Sequence, residues 1–300
     1  MTYRTQLLLT LTAALLIACM PPQRNDQPEV HGHRGCRGIL PENTIDGFKK
    51  AVELGCDQLE LDVVLSADGQ VVVSHEPWMH PTICQQPDGG AIDAERAMDL
   101  NLYRMTVGEI QRYDCGSLPH PGFPDQDQRR SVKPTLMQVV EASDEHALLS
   151  GNVSPGYNIE IKSDPSLYDT HQPRPAAFVA AVIATIDSLG ISERCQLQSF
   201  DPAILEAVHS ERPDLRVALL VENADDLATN LSRLSFTPQA YSPSFELATP
   251  ELLSELRAKD IELVVWTVNE VQDIQRMIQL GVDGIISDYP DRVITALEAR

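Results

Sequence analysis

The feature of this sequence that most restricts its fold is a repeated alternation of short apolar runs and helix-period segments from Val30 to the C-terminus. This alternation is typical of strand–helix units that build a parallel sheet in an α/β protein. Eight strands are enough to close a (β/α)₈ TIM barrel, which needs about 250 residues. The predicted strands are Val30–His33, Gln58–Val63, Asn158–Ile161, Gln196–Ser199, Arg216–Leu220, Gln239–Ser242, Leu263–Trp266 and Gly284–Ile286. The predicted helices are Thr44–Leu54, Thr135–Ala147, Ala176–Leu189, Ala203–Ser210, Asp225–Leu231, Pro250–Ala258, Val271–Leu280 and Pro290–Glu298.

The N-terminal residues form a separate segment. Arg4 precedes an apolar run, Leu7–Ile17, that is too short to span a bilayer and is typical of an export signal. The run ends in Leu-Ile-Ala-Cys19, which resembles a bacterial lipobox, and a lipidated Cys19 would tether the protein to a membrane. We therefore expect a signal peptide at 1–18, a polar tether at 19–29, one barrel domain at 30–300 and a periplasmic lipoprotein. A plain cleavable signal with an incidental cysteine is the alternative.

Residues 76–134 interrupt the alternation. They are rich in Pro, Gly, Asp and Gln, and only a short helix near Thr106–Tyr113 is predicted in them. The segment is too long for a simple loop in a compact domain. Because it follows an additional strand at Val71–Ser74, we interpret it as a long insertion after the second barrel strand that shapes one side of the barrel mouth. Cys84 and Cys115 lie in this irregular stretch, which most needs a covalent link, and export permits a disulfide between them.

The charge balance limits the possible partners. The chain has 44 Asp and Glu against 23 Lys and Arg, a formal net charge of −21. Such a chain repels the phosphate backbone of nucleic acids, so we expect no nucleic-acid partner. The same field disfavours any anionic phosphate compound unless a cation or local basic side chains offset it. A bound divalent metal ion is therefore favoured.

Three carboxylates end two of the predicted strands. Strand alternation points Glu60 and Asp62 to one face, and Glu160 with Lys162 repeats the pattern on the next strand. Carboxylates held side by side repel one another unless a cation neutralises them, and hard divalent ions prefer oxygen ligands. Taken alone, each pattern also fits a purely structural role. Glu60 and Asp62 could lie on a solvated edge strand, and Glu160 and Lys162 could form a surface salt bridge.

Two histidines follow predicted strands. His33 closes the first strand and is followed by Arg34, and His75 follows Val71–Ser74. An imidazole can take and return a proton near neutral pH, and an arginine can bind a phosphate oxygen. A single histidine at a strand end is usually structural. Two of them, together with three carboxylates at strand C-termini, indicate an active site, because that rim is where barrels hold their catalytic residues.

This set of residues resembles the glycerophosphodiester phosphodiesterase family. The first matching positions are His33-Arg34-Gly35, Gly38, Pro41-Glu42-Asn43-Thr44, Phe48, Gly55, Glu60-x-Asp62, Asp68-Gly69 and His75. Later matching positions are Pro134-Thr135-Leu136, Asn158-Ile159-Glu160-Ile161-Lys162, Ser199-Phe200, Trp266-Thr267-Val268-Asn269 and the run from Gly281 to Pro290. The resemblance therefore extends over nearly all of the chain after the tether.

The resemblance implies a (β/α)₈ barrel, one divalent cation, Ca²⁺ or Mg²⁺, and hydrolysis of glycerophosphodiesters to sn-glycerol 3-phosphate and an alcohol. It implies two catalytic residues, His33 and His75, three metal ligands, Glu60, Asp62 and Glu160, and four substrate-binding residues, Arg34, Glu42, Lys162 and Trp266. For Trp266, ordinary filling of the barrel core is the alternative.

The sequence departs from the family pattern at two places. Glu76 stands where the family usually has Asp, which could alter the orientation of the His75 imidazole, and Met137-Gln138 replace acidic residues at what we interpret as a helix surface. Cys36 lies beside the His33 segment, and its thiol is either buried or sensitive to oxidation.

Two other functions fit such a barrel. A lysophospholipase D-like activity on lipids that keep one acyl chain would need an apolar groove. The insertion offers only scattered candidates for it, Trp78, Met79, Ile83 and Phe123. A non-catalytic barrel that binds phosphodiesters or sugars should have lost an imidazole or a carboxylate, and none of these is missing.

Overall fold

The computed structural model describes residues 27–299. The signal peptide, Cys19 and most of the tether predicted above lie outside the described residues. The strands are β1 (Glu29–Gly32), β2 (Gln58–Leu65), β3 (Val71–Val73), β4 (Gly156–Ile161), β5 (Cys195–Ser199), β6 (Arg216–Val221), β7 (Ala240–Pro243), β8 (Glu262–Val265) and β9 (Gly284–Ser287). The helices are α1 (Ile45–Leu54), α2 (Val107–Ile110), α3 (Leu136–Ser150), α4 (Pro175–Leu189), α5 (Pro202–Glu211), α6 (Leu227–Leu231), α7 (Pro250–Arg257), α8 (Val271–Leu280) and α9 (Pro290–Glu298).

Eight parallel strands of the described chain close into a barrel. The strand order is β1-β9-β8-β7-β6-β5-β4-β2, and a further pairing of β1 with β2 completes the ring. The strand β3 pairs antiparallel with β2 on its outer edge and is the additional strand expected from the sequence. The predicted (β/α)₈ fold is therefore confirmed. Within residues 27–299, no helix is long and apolar enough to cross a membrane.

Strand alternation separates two packing regions. In β2, Leu59, Leu61 and Val63 point outward into the main core between sheet and helices. The interior of the barrel is filled instead by a small apolar cluster of Ala218, Ala240, Val264 and Ile286 and by polar side chains. Because successive side chains in a strand point to opposite faces, the polar residues of β2 and β4 necessarily point into the barrel.

Hydrogen-bonding side chains set the starts of several helices. Thr135 and Gln138 form a capping box at the start of α3, so Gln138, one of the departures from the family pattern, has a structural role. The Asp226 side chain accepts a hydrogen bond from the Thr229 amide, and α6 therefore begins at Leu227, two residues later than predicted.

The segment between β3 and α3 has a small core of its own. Met79, Leu102 and Ile110 are buried there against Val64 and Val72 of the neighbouring strands. Two 3₁₀ helices that were not predicted, Ala94–Asp99 and Leu102–Arg104, precede the short helix α2. Cys84 and Cys115 form a disulfide inside this core, as predicted. The segment is thus a packed subregion rather than an open loop.

We expect the Cys84–Cys115 disulfide to stabilise this subregion, because it closes a loop of 31 residues in the unfolded chain. For a loop of that length the loss of chain entropy corresponds to about 3–4 kcal/mol. Thermal unfolding should therefore shift to lower temperature when dithiothreitol is added. The double variant Cys84→Ala/Cys115→Ala should start at the lower Tm and show no shift on reduction. An equal shift in both proteins would assign the effect to something other than this bond.

Candidate active site

A cavity of about 350 Å³ opens at the carboxyl ends of the barrel strands. Its lining comes from seven of the eight barrel strands or the residues just after them, and from the turn that follows β3. The lining residues are His33, Arg34, Arg37, Glu60, His75, Glu160, Lys162, Gln198, Phe200, Leu220, Glu222, Trp266, Thr267 and Ile286. The two predicted catalytic histidines therefore share one cavity with two of the three predicted metal ligands.

The three predicted metal ligands lie together at the base of this cavity. In the parallel pairing of β2 with β4, Asp62 is opposite Glu160 and Glu60 is opposite Asn158. Since all of these residues point into the barrel, one oxygen from each of Glu60, Asp62 and Glu160 lies within 4.8 Å of the others. Asp62 Oδ1 is buried and has no hydrogen-bond partner among the described residues. Three buried carboxylates with a spare oxygen fit a divalent cation.

Two basic side chains partly offset this negative charge. Lys162 Nζ lies 2.7 Å from Glu160 Oε1, and Arg34 Nε lies 3.2 Å from Asp62 Oδ2. Burial and the charges of Asp62 and Glu160 raise the pKa of Glu60. Burial favours the protonated form of Asp62, but Arg34, His75, Lys162 and the hydrogen bond from Asn43 together outweigh burial and lower the pKa of that carboxyl. Keeping these buried carboxylates ionised therefore costs free energy, and a bound cation would lower that cost.

His33 is held by a carboxylate from the last barrel strand. His33 Nδ1 lies 2.6 Å from Asp288 Oδ1, and the His33 amide donates to the Ser287 carbonyl at 2.9 Å. Asp288 also accepts hydrogen bonds from Arg37 Nε at 2.8 Å and Asn269 Nδ2 at 2.8 Å. Burial lowers the pKa of His33, although Asp288 opposes the shift. With Nδ1 bound, Nε2 is the free ring atom, 3.9 Å from Glu60 Oε2.

His75 has a second, separate carboxylate. His75 Nδ1 lies 2.6 Å from Glu76 Oε1, so glutamate at this position still orients the imidazole. Burial favours the protonated form of Glu76, but the hydrogen bond and charge of His75, with the charges of Lys133 and His80, outweigh burial and lower the pKa of Glu76 to about 2. Two hydrogen bonds hold the turn that carries His75. Lys133 Nζ donates to Ser74 Oγ at 2.8 Å, and Ser74 Oγ donates to the Glu76 carbonyl at 2.6 Å.

Arg34 is fixed by its backbone and by its side chain. Its φ of 49° lies in the left-handed region, which non-glycine residues rarely adopt, and its amide donates to Glu60 Oε2 at 3.0 Å. Its Nη1 donates to Glu42 Oε1 at 2.9 Å, while Glu42 Oε2 lies 3.6 Å from Arg37 Nη1. Glu42 thus lies behind the two arginines and orients them.

An aromatic wall stands across the cavity from the carboxylates. The Trp266 indole donates to the Ser242 carbonyl at 2.8 Å and packs against the apolar cluster inside the barrel. Its ring meets Phe200 edge to face, with the ring centroids 5.4 Å apart. Trp266 therefore fills part of the barrel interior and also lines the cavity, while its role in substrate binding stays a prediction.

Cys36 does not take part in this cavity. Its thiol is fully buried and donates to the Gly47 carbonyl at 3.3 Å. Burial raises the pKa of Cys36 to about 12, which makes its reactive thiolate scarce at neutral pH. Of the two possibilities considered from the sequence, the structure supports the buried thiol.

Comparison with known proteins agrees with this geometry. Residues 33–292 match the glycerophosphoryl diester phosphodiesterase family. The chain belongs to that family. A glycerophosphodiester phosphodiesterase of Caldanaerobacter subterraneus is 32% identical over 267 residues, which cover 88% of this chain and 96% of the relative. The enzyme class predicted from the sequence is therefore confirmed.

Solved structures of the family have the same architecture. One from Silicibacter pomeroyi, assigned to this family, superposes with a TM-score of 0.80 at 32% identity, covering 91% of this chain and 94% of that one. A phosphodiesterase of Oleispira antarctica, solved with the product sn-glycerol-3-phosphate, gives a TM-score of 0.71 at 21% identity and covers 91% and 97% of the two chains. At that identity the second likeness supports the fold alone.

Several residues in or beside the cavity of this family member were not assigned from the sequence. Asp288 belongs to a matched motif, and its place after the last strand was a usable signal, because that strand, β9, pairs with β1, which His33 follows. Gln198 donates to Glu60 Oε1 at 3.0 Å. Lys133 and Glu222 had no pattern around them that indicated a site.

A larger cavity, about 560 Å³, lies at the opposite end of the barrel. It is lined by charged residues at the amino ends of strands, among them Glu29, Arg216 and Glu262, and Arg216 is paired with Glu262. His31 borders this cavity, and its Nδ1 lies 3.3 Å from the side-chain nitrogen of Asn158, so His31 has a structural place at the barrel floor. Active sites in barrels lie at the carboxyl ends of the strands, so we assign no chemistry to this end.

A divalent cation should stabilise the folded protein, because it relieves the repulsion among buried carboxylates and binds only the folded state. Adding Ca²⁺ or Mg²⁺ to protein freed of metal by EDTA should raise its Tm, because a cation at 100 times its dissociation constant adds about 2.7 kcal/mol to the free energy of unfolding. Glu60→Gln should lose most of this gain. At pH 7 metal-free Glu60→Gln should be at least as stable as the metal-free wild type, since the raised pKa of Glu60 makes its ionised form costly in the fold.

The matched control is Glu141→Gln, which removes the same charge from the exposed surface of α3 and should keep the full gain. An identical Tm for wild-type protein with EDTA and with millimolar Ca²⁺ or Mg²⁺ would rule out a metal site here.

Proposed function

We propose that this protein hydrolyses deacylated glycerophosphodiesters to sn-glycerol 3-phosphate and an alcohol. In this proposal Glu60, Asp62 and Glu160 hold one divalent cation, Ca²⁺ or Mg²⁺, and His33 and His75 transfer protons. The observation that carries the proposal is that two imidazoles, each bound to its own carboxylate, line the cavity that has the three carboxylates at its base.

The two histidines differ in their surroundings. His33 is largely buried, with 12% of its side chain exposed, whereas 30% of the His75 side chain is exposed. Each has Nδ1 bound to a carboxylate, which leaves Nε2 to face the substrate and stabilises the imidazolium when it forms. One imidazole removes the proton of the attacking hydroxyl or water. The other protonates the departing alkoxide.

The basic residues of the cavity bind the phosphate. Arg34 and Lys162 both line it, and their positions are set by Glu42 and Glu160, so their charges are already in place when substrate enters. A divalent cation bound at the three carboxylates would polarise the phosphate and lower the pKa of a nearby hydroxyl or water. Trp266 offers an apolar surface for glycerol carbons.

The lysophospholipase D-like alternative would need an apolar groove for an acyl chain. Two of the candidates from the insertion are buried. Met79 lies in the core of that segment. The Phe123 ring packs under the Arg37 guanidinium, whose carbon lies 4.8 Å from the ring centroid. Trp78 and Ile83 pack against the same core. These side chains already have partners within the protein, which favours deacylated diesters. A non-catalytic barrel is disfavoured because every imidazole and carboxylate of the site is present and oriented.

We also propose that the mature protein is a periplasmic lipoprotein tethered through Cys19. The support is the lipobox-like sequence Leu-Ile-Ala-Cys19 after a short apolar run. Cys19→Ser should move the protein from the membrane fraction to a soluble or unprocessed pool in cell fractionation. Cys56→Ser, which changes a thiol inside the barrel domain, is the control and should stay with the membranes. Unchanged fractionation of Cys19→Ser would exclude lipid anchoring at this residue.

His33→Ala and His75→Ala should each reduce kcat on glycerophosphocholine by about 10²–10⁴-fold, the usual contribution of a general acid or base, with smaller effects on KM. The double variant should be little slower than the slower single variant, because both residues serve one chemical sequence. A nitrophenyl diester needs less protonation of its leaving group, so it should rescue the variant that lacks the acid and leave the other impaired.

The control for these variants is His209→Ala. His209 stacks on Phe236 away from the cavity, and its loss should leave kcat unchanged. Near wild-type rates for both His33→Ala and His75→Ala on glycerophosphocholine would refute the proposed acid–base pair.

A further inference from the structure

The cavity has two chemically different halves. The carboxylates and both phosphate-binding residues come from β1, β2 and β4, whereas Phe200, Glu222 and Trp266 follow β5, β6 and β8. In the closed strand order, β6 lies four strands from β1 in either direction, so Glu222 stands across the barrel mouth from His33. In the proposed function this second half supplies only the Trp266 surface for the glycerol carbons and takes no part in metal binding or proton transfer.

Glu222 differs from the other acidic side chains of this cavity. Glu60 accepts hydrogen bonds from the Arg34 amide and Gln198, and Glu160 is paired with Lys162. Glu222 is exposed, and its carboxylate has no hydrogen bond and no ion pair among residues 27–299. It is therefore a carboxylate without a counter-charge on the wall of a cavity that receives an anionic phosphate.

Such a charge is unfavourable for the phosphate alone, because like charges in a partly enclosed cavity repel each other. It becomes favourable when the alcohol of the diester carries a positive charge. Phe200, which follows the adjacent strand β5, is 38% exposed, and its ring meets the ring of Trp266 at an interplanar angle of 88°. Aromatic faces attract ammonium groups. The attraction is most effective for quaternary ammonium groups, because they are weakly hydrated and lose little free energy when water is removed.

We propose that Glu222 and Phe200 form a subsite for the cationic head group of the substrate, a quaternary or primary ammonium alcohol such as choline or ethanolamine. This inference rests on the proposed function and names its substrate class. Lys162 Nζ, 5.9 Å from the Phe200 centroid, marks the border between the phosphate side and the head-group side of the cavity. Glu222 is a specificity residue in this proposal and takes no part in proton transfer.

The test compares two cationic diesters, glycerophosphocholine and glycerophosphoethanolamine, with two uncharged-alcohol diesters, glycerophosphoglycerol and glycerophosphoinositol. Glu222→Gln should lower kcat/KM for the cationic pair by about tenfold, mainly through KM, and leave the neutral pair within about twofold. Phe200→Leu should reduce activity on glycerophosphocholine more than on glycerophosphoinositol. Glu211→Gln, which removes the same charge from the exposed end of α5, should change none of the four.

Each other outcome overturns the proposal in a recognisable way. An equal loss on all four diesters would place Glu222 at the glycerol moiety that they share. No change on any of them would remove Glu222 from substrate binding altogether. Failure of the proposed function is a different result, because the wild-type protein would then cleave none of the four. Thermal unfolding of each variant, expected within about 2 °C of wild type for these exposed positions, separates misfolding from altered specificity.

Discussion

The pairing register of β2 with β4 is the constraint on which this site depends. This register puts Asp62 opposite Glu160 on the inner face of the closed barrel, and Glu60 lies two residues before Asp62 on the same face of β2. Three buried carboxylates therefore lie close together, where little water is present to screen their charges. A shift of one residue in that register would turn Glu160 outward into the apolar core. The outward residues Leu61 and Ile159 oppose such a shift, because they are completely buried between sheet and helices.

The remainder of the site compensates this concentration of charge. Arg34, held in a left-handed backbone conformation, and Lys162 approach the carboxylates from two sides, and Glu42 fixes the guanidinium from behind. Closure of the barrel also positions a residue of the site. Because β9 pairs with β1, Asp288 reaches the imidazole of His33, and the two ends of the domain meet at the catalytic rim. The pairing of β9 with β1 therefore both closes the barrel and orients His33, the proposed general base or acid.

Much of this organisation could be predicted without coordinates. The alternation of β2 and β4 required their polar residues to share a face, and the irregular composition of residues 76–134 indicated where a disulfide was needed. The resemblance to a known family then supplied roles that spacing alone could not. Helix starts were less accurate, since α6 begins where Asp226 caps it rather than where apolar periodicity begins.

The sequence by itself determined the strand–helix order, the faces on which Glu60, Asp62 and Glu160 lie, and the family. Those properties are local, because side-chain direction within a strand follows from its period of two. Only the tertiary structure decided that Asp288 partners His33, that Lys133 supports the His75 turn through Ser74, and that the Glu222 carboxylate lines the cavity without a partner among residues 27–299. Each of these depends on how the barrel closes or how the insertion packs, and residues 255 positions apart, such as His33 and Asp288, leave no periodic signal of their contact.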